Sequence, residues 1–354
     1  MSFPFVQPYF GLGNSLQTAQ AGGAGGVGGW VELARTTLGA STSGDIVVSG
    51  LSDKRYYMVL MDQQATGIVR PNIRLNTDTG SNYAYRYSGN GGADSSSASQ
   101  TLAEISNNES NDLPQFSIAY LSNVSSKEKL GISHTIYGGS GAGTAPQRTE
   151  TVFKHAQTSN PISSFSLYND KAGDWDTDSE VVVLGWDPAD THTTNFWEEL
   201  ASVTTGSAGD TLQSGTISAK KYLWVQASYK NDGGADINAL PRFNGDGGSN
   251  YSKRTSTNGA SDNTRTSRTW IDVESGGQTQ RFANMFIINN ASNEKLCIFH
   301  QMDYGGSGAS TAPNRIDGVA KWTNTSDQIT SIEWDQRDAG DYAAGAELRV
   351  WGSD

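Results

Sequence analysis

The residues of this chain that could do chemistry are few, and most of them come in pairs. Asn76, Asp78 and Asn82 stand in Asn76-Thr77-Asp78-Thr79-Gly80-Ser81-Asn82-Tyr83. Asn244, Asp246 and Asn250 stand in a near copy, Asn244-Gly245-Asp246-Gly247-Gly248-Ser249-Asn250-Tyr251, 168 residues later. Oxygen-bearing side chains at alternate positions resemble a calcium loop, but a hard cation takes about six to eight oxygens. Each segment offers three side chains, and the spacing and final Glu of an EF-hand are missing. The competing reading is a hairpin turn in which Asp and Asn bond the backbone and Gly takes positive φ. The turn is the expectation, with no cofactor; a calcium site is the alternative. Arg74 and Arg86 bracket the first loop, and Arg242 and Arg254 the second. They can pin it by bonding Asp78, Asp246 or nearby carbonyls. With Tyr83 and Tyr251 they could instead contact an acidic glycan.

Catalysis finds little support. His134 and His300 each share an alternating face with apolar residues, which reads as a core or inter-sheet histidine. A catalytic role needs a nucleophile or a second acid–base partner at a distinctive spacing. The chain has no Gly-x-Ser-x-Gly, no His-Glu-x-x-His and no P-loop. Glu32/Glu198 and Glu180/Glu347 recur as pairs, but spacing alone does not make a glycosidase dyad. No catalytic residue is assigned, and the expectation is that the chain is not an enzyme.

The elements that must hold these residues are copies of one unit. Tyr137-Gly138-Gly139-Ser140-Gly141-Ala142-Gly143-Thr144-Ala145-Pro146 matches Tyr304-Gly305-Gly306-Ser307-Gly308-Ala309-Ser310-Thr311-Ala312-Pro313. Arg148 pairs with Arg315, and Ala172-Gly173-Asp174-Trp175 with Ala339-Gly340-Asp341-Tyr342. A nearly constant offset over so long a stretch means a duplicated domain rather than a solenoid of short repeats. The expected division is an N-terminal arm over 1–29, a first domain over 30–188 and a second over 189–354. The polar stretch 187–195 reads as a linker short enough to hold the domains close together.

The units read as β. Tyr56-Tyr57-Met58-Val59-Leu60-Met61 and Tyr222-Leu223-Trp224-Val225-Gln226-Ala227 are strand-length aromatic and aliphatic runs. Leu130, Ile132, His134 and Ile136 alternate, as do Leu296, Ile298, His300 and Met302. The 41 glycines, the abundant Ser, Thr and Asn and the 18% of charged residues suit many turns rather than a helical bundle. The predicted fold is all-β: two tandem homologous β-sandwiches, jelly-roll-like, of roughly eight strands each. A single cysteine, Cys297, excludes an internal disulfide and a cysteine-based zinc cluster.

The net charge of −12 repels phosphate, so nucleic acid is not an expected partner. No stretch is long and apolar enough for a transmembrane helix, so no membrane is expected either. The first residues have no basic region followed by an apolar core, so no signal peptide is read and synthesis in a cytoplasm is expected. Residues 1–29 have no counterpart in the second half; they carry Phe3, Phe5, Tyr9 and Phe10 ahead of a glycine-rich stretch. Aromatic side chains want burial, which favours an arm docked on a neighbouring subunit over an unstructured terminus.

Trp30-Val31-Glu32-Leu33-Ala34, the Arg-x-Asn-x-Asp-x-Gly-Ser-Asn-Tyr segment and the terminal Tyr342-Ala343-Ala344-Gly345-Ala346-Glu347-Leu348-Arg349-Val350-Trp351-Gly352 resemble β-rich structural and tail-fibre-type proteins of tailed, especially marine, bacteriophages. The first domain departs from the terminal motif, with Asp178-Ser179 in place of its glycine. The resemblance implies a virion component without catalysis: a fibre, decoration or receptor-contacting protein. It would assemble as a homo-oligomer, expected to be a trimer, with other virion proteins and a host-surface glycan as partners. Two alternatives stand beside it, a double jelly-roll major capsid protein and a carbohydrate-binding module.

Overall fold

The computed structural model describes residues 29–107, 114–188, 190, 195–271, 273, 280–303 and 309–354. The expected arm with Phe3, Phe5, Tyr9 and Phe10, and the repeat segment Tyr304–Gly308, lie outside the described residues. Every named strand pairing is antiparallel, and the chain forms two β-sandwiches in succession.

In the first sandwich a large sheet carries, in spatial order, Val31–Thr37, Glu180–Trp186, Tyr56–Gln63, Gln115–Ser122, Lys129–Tyr137, Gln147–His155, Tyr83–Gly89 and Ser95–Gln100. It faces a smaller sheet of Ile46–Ser49, Ser164–Asn169, Pro71–Leu75 and Ala103–Glu104. The second sandwich repeats the large sheet in the same order: Glu198–Thr204, Glu347–Ser353, Tyr222–Lys230, Gln280–Ile288, Lys295–Asp303, Asn314–Trp322, Tyr251–Thr257 and Asn263–Arg268. Its smaller sheet has Thr211–Gln213, Ile332–Gln336 and Ala239–Phe243. Even the irregularities repeat. The register slips between Glu32 and Ala34 and again between Glu199 and Ala201, and between Tyr83 and Tyr85 and again between Tyr251 and Lys253. The expected eight strands per copy fall short, because an eight-stranded sheet alone uses them and the opposing sheet adds more.

Each sandwich has its own core. Tyr57, Val59, Met61, Val181 and Val183 point inward in the first; Leu223, Val225, Leu348 and Val350 occupy the matching places in the second. The other faces of the two large sheets bury a third core between them. Met58, Leu60, Ile118, Val182 and Leu184 of the first domain meet Trp224, Phe286, Ile298 and Trp351 of the second. The molecule is therefore four sheets deep, with the two large sheets back to back. This explains why Glu180–Trp186 reads as a continuous apolar run after its first residue. A strand buried on both faces has no polar side to alternate with.

One expectation changes here. Leu130, Ile132, His134 and Ile136 do share a face, but it is turned away from the sandwich core. The inward positions of that strand are Gly131, Ser133, Thr135 and Tyr137, and Phe153 on the neighbouring strand covers Gly131. The alternation was correct, and its apolar side enters the domain seam at Ile136 but is exposed at Leu130 and Ile132.

Candidate functional site

The paired loops are turns whose side chains bond inward. Asn76 and Asn244 adopt φ of +56° and +52°, a region that Asn tolerates better than most residues. The Asn76 Oδ1 accepts from the Ser163 and Ser164 N–H groups at 2.7 and 3.2 Å, and the Asn244 Oδ1 from Thr330 and Ser331 at 2.8 and 3.0 Å. Asp78 Oδ1 accepts the Gly80 N–H at 2.7 Å while Oδ2 accepts Asn82 Nδ2 at 2.8 Å. Asp246 repeats this with Gly248 at 2.8 Å and Asn250 at 2.9 Å. The Tyr83 and Tyr251 hydroxyls accept the backbone N–H of Leu75 and Phe243 at 2.9 and 3.0 Å.

The arginines do not provide the expected carboxylate pins. Arg74 lies over the Tyr168 ring at 3.6 Å and bonds the Thr101 carbonyl. Arg242 pairs with Glu333 and Asp335, Arg86 with Asp94, and Arg254 donates to the Pro146 carbonyl. The loop carboxylates are held by two residues from the adjacent strand instead. His155 Nε2 lies 2.8 Å from Asp78 Oδ2, and Trp322 Nε1–H donates to Asp246 Oδ2 at 2.7 Å. His155 and Trp322 occupy the same place in the two copies, and an indole can only donate. Partial burial works against ionisation of both aspartates, but these bonds and those from the turn outweigh it and hold the carboxyls below their usual range. Among the described residues no group of three or more His, Cys, Asp or Glu is placed to hold a metal ion. Asp246→Ala should cost about 1–3 kcal/mol, because it strips the turn and leaves the buried indole N–H unpaired. Urea denaturation measures this; a calcium-dependent rise in Tm that Asp246→Ala abolishes would select the metal reading instead.

Charged residues that the sequence alone does not bring together meet at the seam. Lys221 Nζ of the second domain sits 3.1 Å from Asp62 Oδ2 and 3.2 Å from Glu180 Oε1 of the first. Tyr222 donates its hydroxyl to Glu180 Oε1 at 2.8 Å, and Asn290 Nδ2 donates to Asp62 Oδ2 at 2.8 Å. Burial pushes the Asp62 carboxyl up. For Glu180 burial acts the same way but is outweighed by Lys221, Thr37 and Tyr222, and its carboxyl is held down.

Elsewhere along the seam, Arg148 of the first domain grips Asp262 of the second through two bonds, at 2.8 and 3.1 Å. The glycine-rich turn 138–146 is laid onto the second domain. Gly141 N–H donates to Glu294 at 2.5 Å, Ser267 N–H to the Ala142 carbonyl at 2.7 Å, and Lys321 to the Gly139 carbonyl.

His134 and His300, equivalent residues of the two copies, meet edge to face with ring centroids 4.5 Å apart. A cavity of about 400 Å³ opens beside them, lined also by Glu150, Asp317, Arg86 and Arg315. Burial pushes both imidazoles below their ordinary value; His300 and Arg148 add to the effect at His134. The folded state therefore binds fewer protons than the unfolded chain. Stability is present above the unfolded value of about 6.5 and falls as pH drops below it. We expect Tm to decline on acidification from pH 7.5 to 5, and the double change His134→Gln, His300→Gln to flatten that decline in thermal scans.

Next to this cavity lies a larger groove of about 930 Å³ on the outer face of the first domain. The two share Arg86, Tyr120, Ile132 and Val152; Trp30, Tyr56 and Leu130 extend the groove. Its apolar floor is exposed, with Leu130 at 54%, Ile132 at 38% and Val152 at 51%, whereas their copies Leu296, Ile298 and Val319 are 2%, 1% and 3% exposed.

No family model matches the chain, and no curated protein matches it. Among solved structures, domains LG4-5 of the mouse laminin alpha1 chain align over 92% of this chain and 91% of that one, at 10% identity and a TM-score of 0.19. Neisserial surface protein A aligns over 80% of this chain and 99% of that one, at 8% identity and a TM-score of 0.11. Scores at this level describe shared β content and carry no argument about function.

Proposed function

We infer that the chain is a non-catalytic structural component of a virion, of the fibre or decoration type, that assembles as a homo-oligomer, a trimer in the simplest case. The observation that carries the assembly part is the unequal fate of one duplicated face. In the second domain the Leu296, Ile298 and Val319 part of this face is buried beneath the first domain; in the first domain the matching Leu130, Ile132 and Val152 part is open and apolar. Exposed apolar surface beside a built interface is characteristic of a surface that takes a protein partner. The virion part rests on the resemblance of the repeated motifs to phage structural proteins.

Two measurements test the reading. Light scattering on the full chain should give a multiple of 37.8 kDa; a monomer at micromolar concentration overturns the assembly. Peptide mapping of purified particles should find the chain at a copy number below that of the shell protein. A copy number that dominates the particle selects the major-capsid alternative. The aromatic lining of the groove, Trp30, Tyr56 and Tyr120, favours the carbohydrate-binding module as the second reading. A monomer that binds a glycan array and loses the signal on Tyr120→Ala would establish it.

A further inference from the structure

We propose that the open groove of the first domain receives the aromatic N-terminal segment, Phe3 to Phe10, of a second copy of the chain. The proposal rests on the assembly reading and names the part of the partner that fills the face.

Three observations point to this occupant. The duplication shows what such a face accepts. Over Leu296, Ile298 and Val319 the first domain lies close, and its turn 138–146 crosses the neighbouring strands with main-chain bonds such as Ser267 N–H to the Ala142 carbonyl. The face in the second domain is thus covered by polypeptide of this same chain. The second observation is chemical. From Met1 to Val31 the sequence contains no Asp, Glu, Lys or Arg, although charged residues are 18% of the chain. Arg55, Arg86 and Lys154 also line the groove, Arg86 paired with Asp94 and Lys154 with Glu128, and its floor of Leu130, Ile132 and Val152 suits an uncharged segment with four aromatic rings.

The third is the order of residues in that segment. Ser95–Gln100 is the last strand of the large sheet, and Ser96, Ser97 and Ala98 form a rim of the groove. In an extended segment lying across the groove, Phe3, Phe5 and Tyr9, all odd-numbered, place three aromatic side chains on one face, toward the apolar floor. Residues 11–29 can span up to about 60 Å when extended, enough to reach a neighbouring copy.

The test compares the full chain with a chain lacking residues 1–28, using a fluorescent peptide of residues 1–12 as probe. The full chain should be oligomeric and the truncated chain monomeric by light scattering. The peptide should bind the truncated chain. Leu130→Asp with Val152→Asp, both at exposed positions, should weaken that binding at least tenfold. Met302→Asp, at an exposed position outside the groove lining, should leave it unchanged. In co-expressed copies, Phe5→Cys on one and Val152→Cys on the other should form an intermolecular disulfide; the native Cys297 is buried. If the truncated chain stays oligomeric and ignores the peptide, assembly stands and this assignment fails. If the full chain is a monomer that admits the peptide only after truncation, the segment folds back on its own groove and both readings fail.

Discussion

Lys221→Met should destabilise the folded chain by about 3–5 kcal/mol at pH 7, because it removes the cation that lies between two buried carboxylates. Asp62 and Glu180 are direct neighbours across adjacent strands, and both are buried. Lys221 reaches in from the other domain between them. Without it, Asn290 and Gln64 still donate to Asp62, Tyr222 and Thr37 to Glu180, and Arg35 stands 3.6 Å from Glu180, but the cation between the two carboxylates is gone and their negative charges face one another in a medium that screens poorly. The loss should depend on pH in a defined direction. In the variant at least one carboxyl has a raised folded-state pKa, so the folded state binds more protons than the unfolded one. Stability lost at pH 7 is then partly recovered as pH falls toward 5. Urea denaturation of both proteins at the two pH values gives the comparison, and the histidine pair cancels because both chains contain it. Adding Asp62→Asn and Glu180→Gln to the variant should restore most of the stability at pH 7. A deficit that is the same at both pH values, or below 1 kcal/mol, would show that the cluster is solvated and the argument mistaken.

The duplication, the all-β class and the turn character of the Asp78 and Asp246 loops were legible in the sequence for one reason: each depends on local chemistry or on direct self-comparison. Positive φ at Asn76 and Asn244 and the Asp–Gly bonds are made within a few residues of each other. The partners that hold the two carboxylates were not legible in the same way, since His155 and Trp322 arrive from a strand about 76 residues on. A signal was present: the two occupy equivalent positions in the repeats, and both carry a ring N–H. What the sequence does not encode is which side of a strand meets which layer. Period-two alternation marks two faces at Leu130, Ile132, His134 and Ile136 without saying that the apolar one looks outward. It is silent altogether for Val181 to Leu184, where both faces are buried, against the sandwich core and the partner domain in turn. The inter-domain ion cluster was missed because its members do not recur together: Glu180 returns as Glu347, but Asp62 has no carboxylate in its place. The equivalent of Asp62 is Ser228, and that of Lys221 is Arg55.

Trp224→Ala should cost about 3–5 kcal/mol, the range for removing a buried tryptophan, and it should uncouple the domains before it unfolds either. Trp224 lies on the second domain's large sheet, facing the seam rather than the sandwich interior. Its ring packs against Trp197, Phe286 and Trp351 with centroids 5.7, 5.4 and 5.3 Å away. Its Nε1–H donates to Asn284 Oδ1 at 2.6 Å, an acceptor that also takes a bond from Gln226. The sandwich cores of both domains contain none of these residues, so they remain intact in the variant. Trp334 provides the contrast: it is buried inside the second sandwich, and Trp334→Ala should unfold that domain directly. Calorimetry distinguishes the two. The parent chain should melt as one cooperative unit because the seam is a core in its own right. Trp224→Ala should split the melt into two transitions, each reversible and each close to the stability of one sandwich. A single transition in Trp224→Ala, shifted as in Trp334→Ala, would mean that the seam does not couple the domains and that the tryptophan acts only within its own sheet.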